Sequence, residues 1–195
     1  MRPNRLSIGV VLAALASITV GASAQSAHAP GHALGATPPS DAALIANALS
    51  AAPASIAASA SVMGHDGRML RKGTSDWVCM PDMANVPNDT PMCLDAPWRN
   101  FIDAWMNKRS PAVTQVAFGY MLQGDMPVSN ADPFATAPTP ANQWIQNGDP
   151  HVMVLLPDQK LLDALSTDPK SGGPFVMWTG TPYAHVMVPV SRRER

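Results

Sequence analysis

The chain has 195 residues, with 13 basic and 14 acidic side chains, 20 prolines and two cysteines. That length suits a single domain. A near-neutral balance with no basic run and no basic patch interleaved with aromatics argues against a nucleic-acid partner.

Residues 1–24 read as a signal peptide. Arg2 and Arg5 give a positive start, Leu6 to Val20 carries no charge, and Ala22-Ser23-Ala24 fits the small-x-small cleavage pattern before Gln25. The apolar core is shorter than the roughly 20 apolar residues a spanning helix needs, so no membrane span is expected after cleavage. No cysteine follows that core, which argues against a lipid anchor. The expected location is periplasmic or secreted. Removing 24 of the 195 residues leaves 171, with 11 basic groups against 14 acidic ones. Residues 25–39 are rich in Ala, Gly, Pro and His, without apolar periodicity, and read as a flexible tether. His28 and His32 have a metal-pair spacing for a helix, but Pro30-Gly31 between them argues against one.

Residues 40–190 are expected to form one α+β domain. Ser40 suits a helix N-cap, and Leu44, Ile45, Ala48 and Leu49 follow at helical spacing. Pro53 ends that helix or starts another. Ser61-Val62-Met63 and Met69-Leu70 flank Asp66-Gly67, a strong hairpin signal. A further strand is centred on Trp77-Val78-Cys79.

Cys79 and Cys93 are the only two cysteines, and in an exported chain such a pair closes as a disulfide rather than serving as soft-metal thiolates. The bridge would pin a Pro-rich irregular segment, and closing a loop of about 15 residues contributes on the order of 3 kcal/mol.

Asp95 is a good N-cap for the clearest amphipathic helix, with Trp98, Phe101, Ile102, Trp105 and Met106 on one stripe. Thr114 to Gln123 reads as a strand and Gly124 to Asn142, with its four prolines, as a long loop. Trp144-Ile145 is a brief apolar element, a strand opens at His151, Leu161 to Leu165 is a short helix, and two strands finish the domain. The sum is α+β: a mainly antiparallel sheet of about five or six strands, two or three packed helices and one disulfide. Arg192, Arg193 and Arg195 form a solvated basic tail over 191–195.

One tripeptide occurs twice, at His151-Val152-Met153 and His185-Val186-Met187. Residues i and i+2 of a strand share a face. Neighbouring strands in suitable register would therefore gather two imidazoles and two thioethers, a soft set suited to copper as Cu(I). The pattern resembles periplasmic copper chaperones, whose ligand motif also ends in His-x-Met. The resemblance covers those three residues, and that family's upstream His and Met spacing is not found here. The competing reading is that Met153 and Met187 fill the core and the histidines are half-buried, hydrogen-bonded residues at strand starts.

Two further classes stand beside metal binding. Asp125, Asp132, Asp149, His151, Tyr183 and His185 are expected near one end of the sheet, and an Asp–His base with a Tyr donor is chemically sound. No nucleophile-elbow, zinc-protease, phosphate-loop or dinucleotide motif accompanies them. Alternatively Trp144, Trp178 and Tyr183 line an apolar pocket of a non-catalytic binding or cell-envelope protein.

Three strings resemble a family of exported bacterial proteins of uncharacterised function: Trp77-Val78-Cys79-Met80-Pro81-Asp82, the run Asp89 to Asp95, and the run Val176 to Val190. The resemblance spans most of residues 53–190 and implies one intact domain, with no chemistry attached. The sequence reading is an exported binding protein for a small ligand or soft metal near the two His-x-Met strands.

Overall fold

Among the described residues the strands are short, of two to five residues each. A computed structural model describes residues 38–83, 86, 88–146 and 148–190. The expectations for the signal peptide, for residues 25–37 of the tether and for the tail 191–195 fall outside them. Helix α1 (Asp41–Leu49) is capped by the Ser40 side chain, which accepts from the Ala43 N–H at 3.2 Å, and α2 (Ala54–Ala57) follows Pro53. Strands β1 (Ser61–Met63) and β2 (Met69–Arg71) form the hairpin, with Gly67 at φ +79° in its turn. Then come β3 (Val78–Met80), β4 (Met92–Leu94), α3 (Ala96–Met106), β5 (Ala117–Met121), β6 (Val128–Ser129) and β7 (Trp144–Ile145). Strand β8 (His151–Leu155), a 3₁₀ helix (Gln159–Ala164), β9 (Phe175–Met177) and β10 (His185–Pro189) complete the order.

Eight strands form one sheet in the order β2-β1-β3-β4-β5-β8-β10-β9, and β6 pairs with β7 separately. This corrects the expectation of an α+β fold on a five- or six-stranded antiparallel sheet: the molecule is dominated by sheet, and the large sheet is mixed, because β1 runs parallel to β3. The reason lies in strand length. Strands of two or three residues are too short to show a period of two. β4 begins inside the segment expected to be irregular, and β6 lies inside the long loop. β9 is buried along its whole length, so it shows no alternation.

Directly opposed residues share a face of the sheet. One face carries Leu94, Ala117, Met153, Leu155 and Met187, and packs against Trp98 and Phe101 of α3. Asp95 fixes that helix to β5: one carboxylate oxygen accepts from the Trp98 N–H at 3.0 Å and the other from the Phe118 N–H at 2.7 Å. Asp95→Ala should therefore cost about 1–2 kcal/mol in urea denaturation, the range for a lost N-cap plus a stranded backbone donor.

The opposite face is covered at one end by α1 and α2 over Val62, Cys79 and Cys93, and at the other by Leu162 beside Val176 and Val186. The disulfide is present. Cys79 and Cys93 are opposed across β3 and β4 with Cα atoms 4.0 Å apart, both fully buried. The bridge is thus a cross-strand rung. The Pro-rich segment beyond it is organised by Asp82, which accepts from the Asn47 amide at 2.6 Å and the Thr90 N–H at 2.6 Å. Replacing both cysteines by alanine should lower stability by about 3 kcal/mol, the loop-closure contribution. The intact protein under non-reducing conditions should show no free thiol.

Candidate functional site

The two copies of His-Val-Met lie on neighbouring strands. β8 and β10 are antiparallel, with Met153 opposite Met187 and His151 opposite Pro189. Met153 and Met187 therefore form a cross-strand pair, while the histidines sit four residues apart along the sheet, about 14 Å between Cα atoms from strand rise and spacing. The copies also share a local bond: His151 Nδ1 faces the Asp149 carbonyl at 2.7 Å, and His185 Nδ1 faces the Tyr183 carbonyl at 2.9 Å. A carbonyl only accepts, so each Nδ1 carries a proton, and in the neutral form of either ring the lone pair lies on Nε2.

From there the two environments diverge. His185 is enclosed by aromatic rings, with centroids of Trp178 at 5.0 Å, Trp98 at 5.2 Å and Phe101 at 5.9 Å, all edge-on. Burial pushes its pKa down to about 4, against a smaller upward pull from its bond to Tyr183; the nearby His151 adds to the depression. Met153 also turns into the core: a Cβ built on Gly119 would lie 2.8 Å from its methyl carbon. The register therefore keeps Met153 beside Met187 and sends His151 and His185, the other half of the sequence-expected copper set, to opposite ends of the strand pair.

His151 occupies the opposite end, 3% exposed, at a chamber of about 70 Å³. Asp125, Asp149, Phe175, Met177 and Met187 share its walls, and Val128 of β6 with Ile145 of β7 roofs it. His151 Nε2 is buried and meets no hydrogen-bond partner among the described residues. Asp125 is placed by backbone contact with Gly148, whose carbonyl accepts the Asp125 N–H at 3.2 Å; a Cβ on Gly148 would come within 2.5 Å of the Asp125 Cβ, so only glycine permits the approach. Burial raises the Asp125 carboxyl above its usual range, while His151 and the Met126 N–H at 2.7 Å pull it down. Outside the chamber runs a groove of about 680 Å³ that shares Gly148, Asp149 and Pro189 with it.

Of the possible acid–base residues, the fold gathers Asp125, Asp149 and His151 and leaves Tyr183 and His185 in the aromatic core. Asp132 serves a turn, accepting from the Phe134 N–H. The expected aromatic pocket is not assembled. Trp178 and Tyr183 are core residues linked through Trp105 and Phe134, whereas Trp144 borders a separate depression with Asp168 and Lys170. Trp178 holds φ +57°, costly for a bulky residue, and is fixed there by bonds to the Ser129 and Asn130 carbonyls. Sequence reasoning missed Met177 and Gly148. Met177 stood inside the Phe175–Trp178 apolar run, where nothing marks one residue as a chamber wall. Gly148 stands before Asp149-Pro150, where a glycine is ordinary turn chemistry.

Among the described residues no helix is long and apolar enough to cross a membrane. No family model matches the chain, and neither a curated protein nor a solved structure gives a match.

Proposed function

We propose that this chain is an exported binding protein, periplasmic or secreted, whose ligand is held at the His151 end of the sheet. One observation carries the reading: a buried imidazole nitrogen that meets no partner among the described residues, at a small chamber that shares Gly148, Asp149 and Pro189 with a groove of about 680 Å³. Leaving such an atom unpaired is costly in a finished core, and the cost is recovered when something binds there. The Nδ1–H bond to a backbone carbonyl fixes tautomer and orientation, as it does for imidazoles that serve as ligands. The disulfide suits an oxidising compartment.

The test is a thermal-shift panel of Cu(I), Zn(II), Ni(II), free amino acids and short carboxylic acids on wild type and His151→Asn. Asparagine keeps a donor where Nδ1 stood and removes Nε2. At least one probe should raise the melting temperature of wild type by several degrees and leave the variant unmoved. Equal shifts in both proteins, or none in either, would overturn the reading.

The second reading, general acid–base chemistry, is favoured by the placement of Asp125 beside His151. It expects Asp125→Asn to abolish turnover of a bound probe while leaving its binding intact.

A further inference from the structure

We propose that the chamber takes a short primary alkylamine, with its ammonium at the His151 end and its aliphatic tail directed inward past Phe175 and Met187 toward Met177. This rests on the reading that the His151 end is the ligand site.

The register grades the chamber from polar to apolar. One row across the sheet holds His151 opposite Pro189, and the next row of the same face holds Met187 opposite Phe175. Met177 stands a further row away, opposite His185. Rows two residues apart are separated by about 7 Å. All of these residues but His185 line the chamber, so His151 and Met177 mark its opposite ends. Asp125 and Asp149 belong to the His151 end, because Asp125 is bonded to Gly148 and Gly148-Asp149-Pro150 leads into β8. That end also meets the groove, through the shared Gly148, Asp149 and Pro189.

The polar end offers acceptors. Nδ1 of His151 already gives its proton to the Asp149 carbonyl, and the buried Nε2 meets no partner among the described residues. A second proton on Nε2 would be a buried donor with no acceptor, so that atom is better served by a donor from a ligand. Asp125 takes the Met126 N–H on one carboxylate oxygen, which leaves the other for a ligand. Asp149 is exposed at the rim. No lysine or arginine lines the chamber or the groove, so an anion finds no counter-charge there. A primary ammonium carries three N–H donors, one for each of these three acceptors. Burial, which raises the Asp125 carboxyl, makes its ionised form costly alone, and a cation beside it offsets that cost. The exposed Asp149 carboxylate keeps its water and needs no neutralising partner. A metal ion fits less well. Among the described residues no group of three His, Cys, Asp or Glu side chains is placed to hold one, whereas N–H···O bonds near 2.9 Å reach further than metal bonds near 2.1 Å.

Behind this end the walls are Phe175, Met187 and Met177, covered by Val128 and Ile145. Water finds few partners among such side chains, and methylenes find many contacts. About 70 Å³ suits a tail of a few carbons and no ring.

The experiment is a two-dimensional amide NMR titration of the mature full chain at pH 7.5. The probes are straight-chain primary amines from ethylamine to octylamine, with 1-butanol and butanoate as controls. Alkylamines are protonated at that pH and ordinary imidazoles are mostly neutral. The amide signals of Gly148, His151 and Met187 should move. Affinity should rise roughly fourfold per added methylene and then fall once the chain outgrows the chamber. Both controls should bind at least about tenfold more weakly than 1-aminobutane, since neither presents a charged donor. Asp125→Asn and His151→Asn should each weaken 1-aminobutane by at least about tenfold, and the exposed Asp149→Asn by under about fivefold. Unchanged far-ultraviolet circular dichroism confirms that the variants fold, and the wild-type series decides by itself where one does not. Affinity that climbs through octylamine without a maximum overturns the inserted tail. Butanol or butanoate binding as tightly as 1-aminobutane overturns the ammonium. Amine binding that survives both Asp125→Asn and His151→Asn overturns the site. No amine binding, with another probe stabilising wild type but not His151→Asn, overturns the amine and leaves the binding site standing. No His151-dependent ligand at all overturns both.

Discussion

Trp98→Ala should destabilise the domain by roughly 3–5 kcal/mol, the range for deleting a buried large aromatic. Trp98 is 1% exposed and sits where α3 meets the sheet, with Phe101 at 4.8 Å and His185 at 5.2 Å between ring centroids. Beneath it the sheet narrows at Gly119, where an added Cβ would lie 3.6 Å from the indole. The ring therefore fills space that no neighbour on β5 can reach, and its loss leaves a cavity rather than a gap the strand can close. Trp98→Phe should cost much less. It keeps most of the apolar volume, and it removes a buried indole N–H that meets no partner among the described residues. Urea denaturation with an unchanged m-value separates the two variants; a loss under about 1 kcal/mol for Trp98→Ala would contradict the packing described here.

How far the sequence reveals this arrangement depends on the range of the signal. Local chemistry was legible. Ser40 and Asp95 cap the helices they precede, Asp66-Gly67 turns the first hairpin, and the two cysteines pair. The strands opened by the two histidines were legible too, because five residues with alternating burial, as in β8, are long enough to show a period of two. What the sequence does not carry is register. His-x-Met reads identically in both copies, and only the pairing of Met153 with Met187 sends the histidines to opposite ends of the strand pair. A slip of two residues would preserve every side-chain face and change which donors meet. Met177 enters the chamber through a third strand, and Gly148 matters through a backbone approach 23 residues from Asp125 in the chain. Both are long-range facts with no local mark.

The remaining large effect is the acid sensitivity of the folded state, and it belongs to His185. Its ring is enclosed by Trp98, Phe101 and Trp178, which have no charge to offer an imidazolium, and burial holds its pKa near 4 against an unfolded value of 6.5. Above pH 6.5 neither state is protonated and the site costs nothing. As pH falls below 6.5 the unfolded chain takes up a proton that the folded chain refuses, so stability declines until the folded pKa near 4 and levels off below it. The full loss is on the order of 3 kcal/mol. Asp125 works in the other direction: its raised carboxyl is protonated in the folded chain first, which adds stability as pH falls. The two contributions separate by comparison with His185→Asn, which keeps a donor for the Tyr183 carbonyl and does not titrate. With a chelator present, wild type should lose about 3 kcal/mol more than His185→Asn between pH 6.5 and pH 4, whatever their difference at neutral pH. Parallel curves for the two proteins would mean that the ring is hydrated, and that its aromatic enclosure opens at little cost.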